Sequence, residues 1–125
     1  MQITTFTKPK AVLTVVTALV FIIDPNIIIN LFGTQLEAAG VMMTRILGGA
    51  YLVSGVGIWS INGPSDISAG NAWLYALGES IAVASILMAM SVDGLNLLGW
   101  ALALAYVVFV AGFIFVALEV RRHNV

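Results

Sequence analysis

Four long apolar stretches make up most of this chain, and the polar residues that separate them are of the kinds that end helices. Residues 11–23 carry no charge and are followed at once by Asp24-Pro25-Asn26. At about 1.5 Å per residue, a helix over 11–23 alone is too short for a hydrocarbon core of about 30 Å. The spacing therefore predicts a helix from about Pro9 that continues, bent, to about residue 31, or that breaks at Asp24-Pro25. The broken form is favoured, because Asp24 suits a cap and Pro25 a first helical turn, and the short helix that follows would lie at the membrane interface.

Gly33 stops that segment, and Thr34-Gln35-Leu36-Glu37 has the form of a capping box at the start of a second span over 37–61. Asn62-Gly63-Pro64-Ser65-Asp66 breaks it, and a loop reaching Gly70 leads into a third span over 71–91. Asp93-Gly94 is a tight-turn dipeptide, so the third span and the fourth, 95–119, are expected to be antiparallel neighbours. The predicted fold is all-α: a polytopic membrane protein, a four-transmembrane-helix bundle forming one integral membrane domain. Lys8 and Lys10 ahead of an apolar run resemble a signal peptide, but no small-x-small site follows, so the run is read as an uncleaved first span.

Composition narrows the function. Of 125 residues, 61% are hydrophobic and 9% charged, against about a quarter charged in a soluble domain. A net charge of −1 with five basic residues leaves no footprint for nucleic acid. Without cysteine there is no thiolate nucleophile, disulfide or cysteine-ligated metal. His123, the single histidine, lies in the terminal basic tail, which excludes an imidazole-ligated metal or haem inside the spans. No nucleophile–base pair, two-carboxylate arrangement or phosphate-binding glycine loop is present, so no catalytic residue is assigned and no enzyme is expected. Lys8, Lys10, Arg121 and Arg122 share one side only if the number of crossings is even. Four crossings and the positive-inside rule then place both termini in the cytoplasm, with Asp24, Glu37 and Asp93 opposite.

The chemistry concentrates on two charges inside apolar stretches, Arg45 and Glu79, which lipid cannot solvate. Glu79 shares a helical face with Ala72, Tyr75, Ala76, Ala82, Val83 and Ile86, while Leu74, Leu77 and Ile81 lie away from it. Ala101, Ala105, Val108 and Gly112 offer a matching small-residue stripe on the fourth span. Arg45 and Glu79 would be separated by roughly 10 Å along the membrane normal, a gap that tilt and side-chain length can close. Asp24 and Glu37 compete for Arg45, in which case Glu79 is left with Tyr75 and nearby hydroxyls. The pair is thus either a polar clasp between helices or a site: a proton or cation at Glu79, an anionic head group at Arg45.

Gly48, Gly49, Gly55 and Gly57 thin the second span for close helix contact, or for a lipid or pigment lying on the backbone. Tyr51, Tyr75 and Tyr106 are packing residues or contacts for a quinone or carotenoid ring. Trp59, Trp73 and Trp100 fall near span ends as interface anchors.

The run Arg45-Ile46-Leu47-Gly48-Gly49-Ala50-Tyr51-Leu52-Val53-Ser54-Gly55 resembles the arginine–glycine–glycine signature of small bacterial four-helix membrane proteins, including the DoxX-like group. In that group the comparable stretch belongs to the first span, whereas here it is in the second. The resemblance implies an integral four-helix bundle, sometimes associated with quinone-linked systems, and supplies no catalytic residue. The expected function is an accessory or structural subunit of an inner-membrane complex or homo-oligomer, surrounded by membrane lipid. The rivals are a small proton- or cation-coupled transporter or channel using Glu79 and a quinone- or lipid-linked DoxX-like accessory protein.

Overall fold

A computed structural model of the protein describes residues 2–92 and 94–124. The helices are α1 Ile3–Ile23, α2 Asn26–Ile29, α3 Ala38–Trp59, α4 Ala69–Val92 and α5 Leu98–His123, with a 3-10 turn at Asn30–Phe32 and no strand among the described residues. Four of them, all but α2, are long and apolar enough to cross a membrane. The protein is all-helical with four membrane-spanning helices, as its apolar pattern predicts.

The first span differs from expectation at its start. The helix begins at Ile3 and carries Pro9 inside it, so the missing length comes from the N-terminal side and not from residues beyond Asp24. Proline removes one amide donor there, a loss that a helix of 21 residues absorbs. The chain breaks at Asp24-Pro25, where a carboxylate oxygen of Asp24 accepts the Asn26 N–H at 3.0 Å. Gly33, at φ 80°, ends the short helical segment in the left-handed region that favours glycine.

The capping box does not form. Glu37 is the N-cap of α3 and makes no side-chain cap bond, and Leu36 N–H instead donates to the Asn26 side-chain oxygen at 2.9 Å. Further along, the Asp66 carboxylate accepts the N–H groups of Asn62 and Gly63 at 2.8 and 3.0 Å, closing the loop on itself. Ser68 then caps α4 by accepting the Asn71 N–H at 3.1 Å, so this span starts two residues earlier than Asn71. In the last connection Asp93 lies outside the described residues, while Gly94 has φ 67°. Asn96 caps the entry to α5 through the Leu98 N–H, which puts the start of that helix three residues later than expected.

The chain divides into two compact units, Thr4–Ser60 and a second that runs from Ile61 onward and includes Ile3. In the first unit α1 and α3 are antiparallel: Gly55 meets Ala11 and Val15, and Gly48 meets Ala18, Phe21 and Ile22. A methyl group on Gly55 would stand 2.7 Å from Val15 Cγ2 and 3.1 Å from the Val15 nitrogen, so the two backbones approach as closely as they do because a side chain is missing. Phe21 and Tyr51 stack across the same contact at 6.1 Å.

In the second unit α4 and α5 are antiparallel, with Tyr75 stacked on Phe113 at 4.9 Å towards one end and Met90 against Gly99 at the other. The packed face of α4 is the predicted one: Ala72 and Ala76 are buried, Tyr75, Glu79, Ala82, Val83 and Ile86 half-buried, and Leu74, Leu77 and Ile81 exposed. The α5 stripe is met only in part, at Gly112, which is buried, and Ala105. Ala101 and Val108 are exposed, Ala105 is half-buried, and the buried line runs through Gly99, Ala103, Gly112, Phe113, Val116 and Val120. Small residues occur all round the first half of α5, so residue size does not fix its phase; the bulk of Phe113 opposite Tyr75 does.

Candidate functional site

The polar side chains of the spans are the place to look for chemistry, because each must find a partner that lipid does not supply. Arg45 finds a backbone one. Its Nη2 donates to the carbonyl of Ile23, the last residue of α1, at 3.2 Å. At the other end of the same helix pair, Lys8 of α1 donates its ammonium to the carbonyl of Trp59, the last residue of α3, and sits 4.8 Å from the centre of that indole ring.

The two contacts are reciprocal. The last carbonyls of a helix lack intrahelical donors and form the negative end of its dipole, and each helix of the pair supplies the cation that closes the other. The sequence invites an acidic partner for Arg45; the helix C-terminus satisfies the same electrostatic need without one. Of the competitors, Asp24 is engaged with the Asn26 N–H, Glu37 is exposed at the start of α3, and Glu79 lies in the other unit.

Glu79 is half-buried on α4, with its Oε2 shielded from solvent. Tyr75, one turn earlier, directs its ring onto Phe113. Ser80 and Ser85 each return their hydroxyl to the carbonyl four residues back, at 2.8 Å, as hydroxyls in membrane helices commonly do.

The glycines divide by helical phase. Gly48 and Gly55, seven residues apart, share the face that meets α1; nothing lies within 4 Å of the Cβ position of Gly49, and Gly57 is exposed. Neighbouring residues point about 100° apart round a helix, so Gly48 and Gly49 cannot serve one contact.

One feature was not anticipated from the sequence. Thr7, Lys10 and Thr14 are buried on α1, Lys10 with 5% of its surface exposed, and Thr17 beside them is half-buried. Thr14 donates its hydroxyl to the Lys10 carbonyl at 2.8 Å. The signal is present in the spacing, since 7, 10, 14 and 17 recur at three and four residues and define one stripe. It is masked when Lys8 and Lys10 are read together as a basic flank; two residues apart, they point about 200° from each other and serve different surfaces.

The apolar counterpart of Lys8 lies on its own face of α1. Ala11, Val12, Val15 and Val16, with Val56 and Trp59 of α3, line an open groove of about 260 Å³ that presents no polar surface. Among the described residues no group of three or more His, Cys, Asp or Glu side chains is placed to hold a metal ion.

No protein-family model matches this sequence, and no curated protein and no solved structure matches it either.

Proposed function

We propose that this protein is a structural or accessory membrane subunit, one that seats a helix of a larger membrane complex, or of a second copy, against the outer face of α3. The observation that carries this reading is the stripe Gly49, Val53 and Gly57. The Cβ position of Gly49 is open, Val53 is 75% exposed, and Gly57 is exposed one turn further on. Lipid tails are as apolar as leucine, so membrane helices associate where small residues allow close packing, and this face supplies such a place. The bonds of Lys8 and Arg45 to backbone carbonyls support it, being contacts that hold α1 and α3 together. We place it in the inner membrane, where the positive-inside rule favours both termini cytoplasmic.

Native mass spectrometry after mild-detergent extraction tests this. The expected result is a stoichiometric partner or homodimer that is lost in Gly49→Leu and Gly57→Leu. A wild-type protein that emerges as a partner-free monomer overturns the reading.

A second reading rests on the shielded Oε2 of Glu79 within a span. An intramembrane carboxylate is suited to carrying a proton or cation, and the protein would then be a small coupled transporter. Flux into proteoliposomes should fall in Glu79→Gln; flux unchanged by that substitution removes this alternative.

A further inference from the structure

The loop ahead of α4 holds a dipeptide with a covalent chemistry of its own, Asn62-Gly63. Asparagine is a thermolabile residue, and a glycine after it leaves the reaction unhindered. The Gly63 nitrogen attacks the carbonyl carbon of the Asn62 side chain, a C–N bond forms and ammonia leaves; water then opens the cyclic imide to aspartate or isoaspartate. Asn62 is exposed, and nothing lies within 4 Å of the Cβ position of Gly63. No neighbouring side chain crowds the attacking nitrogen.

Asp66 stands against that attack. Its Oδ2 accepts both the Asn62 N–H at 2.8 Å and the Gly63 N–H at 3.0 Å, and its own N–H donates to the Gly63 carbonyl at 3.1 Å, so the acceptor is fixed to the segment it holds. Successive N–H groups converge on one anion when both nitrogens lie on the same side of the residue between them. Ring closure needs the Gly63 nitrogen turned instead towards the Asn62 Cβ, and stripped of its proton. The carboxylate opposes both changes. Turning the nitrogen away breaks a charge-assisted bond, and a negative charge at 3.0 Å disfavours the amide anion.

We propose that Asn62 is a latent modification site, an asparagine whose conversion to aspartate is held back by Asp66. Conversion would place a second carboxylate beside Asp66, or in the isoaspartate form lengthen the backbone between the two N–H groups. Either product loosens their hold on one oxygen and opens the connection into α4. The site is independent of whichever neighbour meets the Gly49 and Gly57 face.

The test follows Asn62 by peptide-mapping mass spectrometry of the full chain, held in mildly alkaline buffer both folded in detergent and unfolded in denaturant. Conversion is read as the mass gained when an amide becomes an acid. A charge-assisted bond that must break first corresponds to a reaction about tenfold slower, which is the difference expected between folded and unfolded wild type. Folded Asp66→Ala should convert at close to the unfolded rate, with an unchanged thermal midpoint establishing that its helices stay packed. Asp66→Asn, which keeps an oxygen acceptor without the charge, should fall between, and it decides the matter if the alanine variant melts early. Folded wild type that converts as fast as the unfolded chain overturns the proposal. So does a folded Asp66 variant that converts no faster than wild type; a slower one would mean that the carboxylate assists the attack.

Discussion

A methyl group added to Gly55 arrives 2.7 Å from Val15 Cγ2, on a short branched side chain, and 3.1 Å from a backbone nitrogen. Gly55→Ala should therefore lower the thermal midpoint in detergent, at a cost of about 1–3 kcal/mol. Gly49→Ala meets open space and gains helix propensity, so it should hold or raise stability, by up to about 1 kcal/mol. Gly99→Ala is the intermediate case, because its close neighbour is the flexible thioether of Met90, which can turn aside. Thermal unfolding of the three variants side by side checks the order; equal effects at Gly49 and Gly55 would show that the α1–α3 contact is not where these glycines put it. The same scale governs Arg45. If its task is to close the α1 C-terminus, Arg45→Lys should retain most of the stability that Arg45→Met loses, about 1 kcal/mol. A lysine variant as unstable as the methionine one would point to a demand for the guanidinium shape, which a single carbonyl acceptor does not make.

Among the elements, contrast between residues decides what the sequence discloses. The buried face of α4 is legible because alanine, tyrosine and glutamate fall on one side and leucine and isoleucine on the other. On α5 nearly every position is aliphatic or small, so several phases fit equally well, and Ala101 looks as suitable as Ala103 until Phe113 is set against Tyr75. The start of α1 is hidden by Lys8-Pro9-Lys10, which has the composition of a helix entrance although it lies inside a helix of 21 residues. The break at Asp24-Pro25 was legible, since proline disfavours helical geometry in the residue before it. The candidate site was only half legible: Arg45 and Glu79 announce themselves as charges among apolar residues, but a backbone acceptor leaves no mark in a sequence, so the Ile23 and Trp59 carbonyls could not be read. How α3 is entered is hidden for a related reason, because an acceptor ten residues away, the Asn26 side-chain oxygen, takes the Leu36 N–H just ahead of the helix. Asn26→Ala should accordingly cost about 1 kcal/mol, while Asn26→Asp, which keeps the oxygen, should cost less. Thermal denaturation distinguishes the two, and equal losses would argue that Asn26 acts by some means other than accepting the Leu36 N–H.

At the scale of the whole molecule, four spanning helices follow one another along the chain, so their crossings must alternate sides. Five basic residues bear on the topology, and Arg45, bonded near one end of the α1–α3 pair, is the one that departs from a simple inside bias. In the proposed orientation, with both termini cytoplasmic, its bond to the α1 C-terminus would let a cation be held on the far side, since the helix end supplies the countercharge locally. The topology can therefore be tested without disturbing it. The sequence contains no cysteine, so each single-cysteine variant reports one position alone. Gln35 and Leu97 are exposed in the connections before α3 and α5, and Gln2, Ser65 and Asn124 are exposed at the other turns and ends. On intact cells a membrane-impermeant maleimide should label Gln35→Cys and Leu97→Cys, leaving Gln2→Cys, Ser65→Cys and Asn124→Cys to react only after lysis. The complete inverse would keep the four crossings and refute the cytoplasmic termini. Labelling of Ser65→Cys together with Gln35→Cys would instead mean that α3 does not cross, and the docking face built on it would have no bilayer to face.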